Sequence, residues 1–179
     1  LEVASLNQRF FYCPKCGGGL YYSRRGERDR LTCSKCGYIF YENPVVGVAV
    51  IVLNGEGKIL LGRRSGSYRG LWCIPCGYVE YDEDVFDAAV RELKEETGLD
   101  AKIKEVYTVQ SNFHNPEVHT VGIWFIAESA AGELRAQGDL DEVGYFDLMS
   151  PPPLAFPTDE AVIKKLAQEK ALRNKTTQF

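Results

Sequence analysis

The spacing of apolar residues along this chain separates strands from helices. Val45 to Leu53 is a β-branched run, and a second short run follows from Lys58 to Gly62. Both predict strands, joined by a hairpin turn at Asn54-Gly55-Glu56-Gly57. Alternation resumes from Ala101 to Val109, Val118 to Ala127 reads as a central strand, and Val143-Gly-Tyr-Phe gives another strand pattern. At Phe86, Ala89, Val90, Leu93 and Thr97 the period becomes helical, predicting the buried stripe of a helix of roughly four turns. Asp84 is placed to cap that helix, with Asp87 as the return partner of a capping-box-like start. Gly98 stands where a C′ glycine belongs. Pro151-Pro-Pro breaks the chain before a final amphipathic helix from Asp159 to Lys170, and from Leu172 onward a frayed tail is expected.

Composition narrows the classes. A chain of 179 residues suits one full domain plus a small appendage, and 45% hydrophobic residues is ordinary for a globular protein. A net charge of −4 gives no general reason to bind nucleic acid or a membrane surface, so nucleic acid is not expected as a partner. Phosphate chemistry would then rely on local cations. No apolar run approaches a membrane span and Leu1-Glu2-Val3 does not open a signal peptide, so a cytoplasmic location without membrane contact is expected. The sequence leaves the oligomeric state open and admits a homodimer.

Six cysteines fall into three Cys-x-x-Cys pairs: Cys13/Cys16, Cys33/Cys36 and Cys73/Cys76. This spacing points to metal or redox chemistry rather than a disulfide scaffold. Cys13-Pro-Lys-Cys16-Gly17-Gly18 and Cys33-Ser-Lys-Cys36-Gly37 repeat one turn, separated by sixteen residues, with glycine permitting positive φ. Two such turns facing one another complete a tetrahedral four-thiolate zinc site, with Cys13, Cys16, Cys33 and Cys36 as ligands. Four protein ligands leave no open position, so this zinc is expected to be structural, and so small a segment needs it in order to fold. Disulfide pairing is the alternative. Arg24, Arg25, Arg28 and Arg30 raise the reading of a nucleic-acid module, but Glu27 and Asp29 offset them in what reads as a solvated loop.

The first long helix carries an acidic edge. Glu92 and Glu96 stand at i and i+4, and Glu92 and Glu95 at i and i+3. Left bare, such a cluster repels itself, and on spacing alone a solvated acidic face is the simpler reading. Hard cations offer another, since Mg²⁺ or Mn²⁺ takes carboxylate and water oxygens. The complete stretch favours the cations. Gly77, Glu83, Arg91, Glu92, Leu93, Glu95, Glu96, Gly98 and Leu99 fill every specified position of a pattern that resembles the Nudix box. Seven fixed letters at about 6% usage each coincide by chance on the order of 10⁻⁹ per start site.

The resemblance implies roles residue by residue. Glu92 and Glu96 are the main Mg²⁺ or Mn²⁺ ligands, Glu95 joins or supports them, and the Cys76 carbonyl ligates a metal. Arg91 and Glu83 pair and hold the loop against the helix. Two positions depart from the family: Cys76 replaces a small residue, and Asp82 replaces a glycine. Cys73/Cys76 as a redox pair is the alternative reading of that segment. The implied chemistry is metal-assisted attack of water at phosphorus, with Glu92, Glu95 or Glu117 accepting the proton.

Beyond the box, Ser111-Asn112-Phe113-His114-Asn115-Pro116-Glu117 reads as a selectivity loop. His114, Pro116 and Glu117 are substrate-binding candidates, and His119 flanks them. Phe156 is a candidate for stacking on a base, with core packing the simpler alternative. Asp139 is the candidate for an additional acidic metal ligand, ahead of Glu142, with an exposed acidic turn the alternative. Ribbon followed by box is similar to the NADH pyrophosphatase branch, but Ser111-Asn-Phe-His-Asn-Pro116 replaces that branch's Ser-Gln-Pro-Trp-Pro-Phe-Pro. Pro116 is instead similar to ADP-ribose-cleaving members.

The fold thus implied is an α/β Nudix sandwich, a mixed β-sheet between helices, with a zinc ribbon at its edge. Boundaries are expected at 9–42 for the ribbon, 43–172 for the Nudix domain and 173–179 for the tail. The implied function is metal-dependent hydrolysis of the pyrophosphate bond of a nucleoside diphosphate linked to another moiety, ADP-ribose first. NADH, FAD or another dinucleotide is the alternative substrate; a non-catalytic nucleotide-binding adaptor is the alternative of another class. Structural Zn²⁺, catalytic Mg²⁺ or Mn²⁺ and a small nucleotide are the cofactors and partner expected.

Overall fold

The computed structural model describes residues 8–176. The chain divides between Asn43 and Pro44 into two compact units. In the first, β1 (Leu20–Arg25), β2 (Arg28–Cys33) and β3 (Ile39–Phe40) form an antiparallel sheet in that order. Gly17 and Gly37 take φ of 69° and 71° and close the two cysteine turns by donating to the carbonyls of Cys13 and Cys33. The core of this unit is little more than Leu20, Leu31, Cys13 and Cys33 with Phe40 beside them.

The second unit contains β4 (Val45–Ile51), β5 (Ile59–Arg64), β6 (Trp72–Cys73), β7 (Cys76–Tyr78), α1 (Val85–Thr97), β8 (Asp100–Asn112), β9 (Thr120–Ala131), β10 (Leu140–Phe146) and α2 (Pro157–Thr176). One sheet has the order β7-β4-β9-β8 and is mixed, because β4 runs parallel to β9 and antiparallel to β7. A second, antiparallel sheet has the order β10-β5-β6. Strand alternation explains why helices are needed on both sides. Val48, Val50 and Val52 pack with Leu60, Phe125 and the α1 residues Ala88, Ala89 and Leu93. The intervening Ala49 and Ile51 pack with Ile59, Leu61, Trp124 and the α2 residues Val162, Ile163 and Leu166. A strand apolar at every position is buried on both faces, and the α/β/α sandwich follows.

Several elements differ in detail from the sequence reading. Asn54 does make the turn, its Oδ1 accepting from the N–H groups of Glu56 and Lys58 at 3.0 and 2.9 Å. The strands it joins pair only at their base, through Leu53 and Ile59. Both edges of β4 are already taken by β7 and β9, so β5 turns away into the second sheet. On α1, Asp84 caps by accepting from Phe86 N at 2.8 Å. The buried stripe is Ala88, Ala89, Leu93, Glu96 and Thr97, whereas Phe86 stays 45% exposed while touching Phe125. Helix α2 continues through Arg173 to Thr176, into the segment expected as tail, because no Gly or Pro interrupts a run of good helix formers. Residues 177–179, the rest of that tail, and the opening Leu1-Glu2-Val3 lie outside the described residues. Among the described residues no helix is long and apolar enough to cross a membrane.

Candidate active site and zinc centre

The box loop is fastened to α1 by one arginine. Arg91 donates from Nε and Nη2 to the two oxygens of Glu83 at 2.7 and 2.8 Å, a bidentate pair, and from Nη2 to the Tyr78 carbonyl at 3.1 Å. Its Nη1 reaches Glu92 Oε1 at 2.8 Å and Glu95 Oε2 at 3.3 Å. The planar fork of a guanidinium suits this arrangement, since it serves several oxygens at once.

Glu96 is only 5% exposed, and its Oε2 accepts from Cys76 N at 2.9 Å. Burial raises its carboxyl to about 8, against the Cys76 N–H and reinforced by the Glu92 charge. Gly77 leaves the space Glu92 occupies: a Cβ there would lie 2.0 Å from Glu92 Cδ. Among the described residues, Glu92 Oε2, Glu95 Oε1 and Glu96 Oε1 have no hydrogen-bond partner. Three neighbouring carboxylates, each with an oxygen to spare, suit a hard divalent cation. Among the described residues, the ligand group that lies gathered for a metal ion is that of the four cysteine sulfurs, all within 4.8 Å of one another.

These carboxylates line a cleft of about 610 Å³. Cys76, Asp139, His114 and Phe156 line it too, whereas Pro116 and Glu117 do not; Glu117 instead donates its N–H to Asn115 Oδ1 at 2.9 Å. His119 packs edge-on against Phe113, 5.0 Å between centroids. His114 bonds through Nδ1 to Asn112 Oδ1. It also joins Tyr68 and Phe156 in an aromatic group with centroids 5.3 to 5.8 Å apart. Asp139 reaches Arg64 at 3.8 Å, while Asp141 and Glu142 are held by Arg63 at 2.7 and 2.6 Å.

Arg64, Tyr68 and Asp159 are among the lining residues that the sequence did not reveal. Adjacent strand residues face opposite ways, so one of Arg63 and Arg64 had to face inward; only the topology shows which. Arg64 is 11% exposed, donates to the Ser67 carbonyl at 2.9 Å and lies 5.4 Å from the Phe156 ring. Tyr68 takes φ of 58°, unusual for a bulky side chain. Asp159 is buried and accepts from Ile74 N at 3.0 Å and Trp124 Nε1 at 3.1 Å; burial nevertheless pushes it up to about 7. Cys73 is wholly buried. The Cys73 sulfur and burial together raise the Cys76 thiol well above its ordinary value.

In the first unit Cys13 and Cys36 sulfurs are 3.8 Å apart, those of Cys16 and Cys33 are 3.5 Å apart, and all four lie within 4.8 Å. A tetrahedron with Zn–S bonds of about 2.3 Å has edges of about 3.8 Å, so the cysteines fit the ion. The N–H groups of Cys36 and Lys35 approach Cys33 Sγ at 3.5 and 3.4 Å. They pull its thiol down to about 6 against the opposing effect of burial, whereas against the Gly18 N–H the hydrogen bonds to Cys36 and Cys33 and burial push the Cys16 thiol up to about 12.

Comparison with known proteins agrees with both halves. The NUDIX domain profile matches residues 43–167 and the Nudix N-terminal profile, a zinc ribbon, matches residues 12–42. ADP-ribose pyrophosphatase of Methanocaldococcus jannaschii is 37% identical over 128 residues, 71% of this chain and 75% of that protein. NAD-capped RNA hydrolase NudC of Vibrio atlanticus is 24% identical over 156 residues; these are 87% of this chain but only 56% of that protein. The crystal structure of a NUDIX hydrolase from Nitrosomonas europaea superposes with a TM-score of 0.79 at 30% identity, covering 90% of this chain and 93% of that one. With an unbroken box on a helix that lines the cleft and a four-cysteine ribbon ahead of it, this chain belongs to the Nudix family and is a pyrophosphohydrolase.

Proposed function

We propose that the cleft hydrolyses the pyrophosphate bond of ADP-ribose with Mg²⁺ or Mn²⁺. One observation carries the reading: the carboxylate edge of α1 shares its cleft with Arg64 and with the Tyr68–His114–Phe156 group. A linked nucleoside diphosphate asks for these three things, an acidic metal seat, a cation for phosphate and an aromatic surface for the base. The 37% identity to an ADP-ribose pyrophosphatase supports the same substrate.

Glu92, Glu95 and Glu96 would hold the divalent cation, with Asp139 and the Cys76 carbonyl as further ligands. That cation supplies charge neutralisation on the diphosphate and acidification of water. Arg64 binds phosphate oxygens, its guanidinium fixed in advance by Ser67 and Cys73, so little ordering remains on binding. Phe156 and His114 take the base. Glu92 and Glu95 line the cleft and Glu117 does not, so the proton acceptor is sought in the first two.

Hydrolysis of ADP-ribose, NADH, FAD and diadenosine compounds, with Mg²⁺ or Mn²⁺, tests the assignment. ADP-ribose is expected to give the highest kcat/KM, and Glu96→Gln, which removes a charged metal ligand, to cut turnover by orders of magnitude in a protein that still folds. Undiminished turnover in Glu96→Gln would refute its role, and a dinucleotide outrunning ADP-ribose would refute the substrate. The NudC relative gives the dinucleotide reading its support.

A further inference from the structure

The ribbon sheet sorts its charges by face. Side chains alternate along a strand, and register places Arg24 opposite Asp29 and Tyr22 opposite Leu31. That is the face of Leu20 and Leu31, the small core, and there Arg24 pairs with Asp29 at 3.8 Å. The other face carries Arg25 opposite Arg28, Ser23 opposite Arg30 and Tyr21 opposite Thr32. Arg30 lies over the Tyr41 ring, 4.7 Å from its centroid. Tyr21 and Tyr41 are 46% and 53% exposed.

Composition averaged these charges away, and register separates them. Residues 8–43 hold seven Lys and Arg against three Asp and Glu, in a chain of net charge −4. Of the three acids, Asp29 pairs with Arg24 and Glu42 with Arg9, and Glu27 stands in the turn between Arg25 and Arg28 with no ion pair among the described residues. Among the described residues Arg25 and Arg28 have no carboxylate partner. A four-thiolate zinc centre carries a charge of −2, but it sits at the Leu20 and Cys33 end of the hairpin. Five strand residues away, about 17 Å, the Arg25–Arg28 end lies beyond a Debye length of about 8 Å.

We infer that this face of the ribbon, Tyr21, Arg25, Arg28, Arg30 and Tyr41, binds single-stranded nucleic acid. Arginines attract the phosphate backbone and tyrosines offer stacking surfaces to bases that are not held in a duplex. An acidic peptide would satisfy the arginines and leave the tyrosines unused. A duplex would hide the bases that the tyrosines need.

The test uses the full zinc-loaded chain and labelled 12-nucleotide probes with a 5′-hydroxyl, so that no diphosphate draws them to the catalytic cleft. Single-stranded RNA and DNA form separate arms that identify the sugar preferred. Binding should weaken with salt. Arg25→Ala with Arg28→Ala should lower affinity at least tenfold, and flatten the slope of log K against log salt by about 1.4 for two lost phosphate contacts. Tyr21→Ala should weaken binding about tenfold with the slope unchanged. The lysine pair, Arg25→Lys with Arg28→Lys, should retain binding, and all variants should keep their zinc and their hydrolysis of small nucleotides. No binding at low salt, unchanged affinity in the alanine pair, or equal binding of a duplex or of polyglutamate would each overturn the inference.

Discussion

Gly77 has no special backbone angle to explain its place; it is there because Glu92 rests on its Cα. Gly77→Ala puts a methyl group 2.0 Å from the Glu92 carboxyl carbon, and either the carboxylate or the loop must move. Misplacing a catalytic group by about 1 Å costs on the order of 10²-fold, while overpacking costs about 1–3 kcal/mol of stability. Turnover should therefore fall far more than melting temperature, with a weakened Mg²⁺ titration; wild-type kinetics would show that Glu92 needs no such seat. Which residues were legible follows the same logic. Glu83, Arg91 and the glutamates could be read because one loop and one helix hold them at fixed spacing. Arg64, Tyr68 and Asp159 could not, because each enters the cleft from an element distant in sequence. Pro116 and Glu117 were read as members of the loop that carries His114, and the loop's fold leaves them outside the lining.

Helix α2 is joined to the sheets through its first turn, where Asp159 accepts from Ile74 and Trp124. Asp159→Ala strands two buried donors at about 1–3 kcal/mol each, so the melting temperature should drop sharply, and a loss below 1 kcal/mol by denaturant titration would contradict this. Together with α1 the helix also sets a pH response. Glu96 rises from 4.5 to about 8 and Asp159 from 3.8 to about 7 on folding. Below about pH 4 both are protonated whether folded or not, and their contribution is whole. As pH rises the unfolded chain gives up these protons first, so stability falls between about pH 4 and pH 8 and then levels. Thermal melts of zinc-loaded protein without added Mg²⁺ should follow that course, with a shallower fall in Glu96→Gln. Mg²⁺ uptake at Glu96 should expel its proton, so the melting-temperature gain from Mg²⁺ should grow with pH up to about 8. The strands and helices themselves were legible from period alone. Their division into two sheets was not, because it depends on which edges of β4 remain open.

Across the whole chain stability is unevenly supplied. The second unit has two extensive cores, whereas among the described residues the first has four buried hydrophobic residues, two of them cysteines. Stripping zinc with a strong chelator should remove hydrogen-exchange protection from residues 8–43 and leave the cooperative melt of the rest. Retained protection there would mean that the ribbon stands without metal. The pairing of β4 with β9 has a different bearing. Val45 finds Thr120 and Ile51 finds Ile126, roughly 75 residues further on, with α1 and a strand of the β8–β9 hairpin lying between. Local pieces close quickly and distant partners slowly. During synthesis, then, the most apolar strand of the chain is complete long before its central neighbour has left the ribosome. Until that neighbour arrives only the three-residue β7 can pair with it, its other edge stays open, and this is the interval in which a nascent chain is open to aggregation and to chaperones.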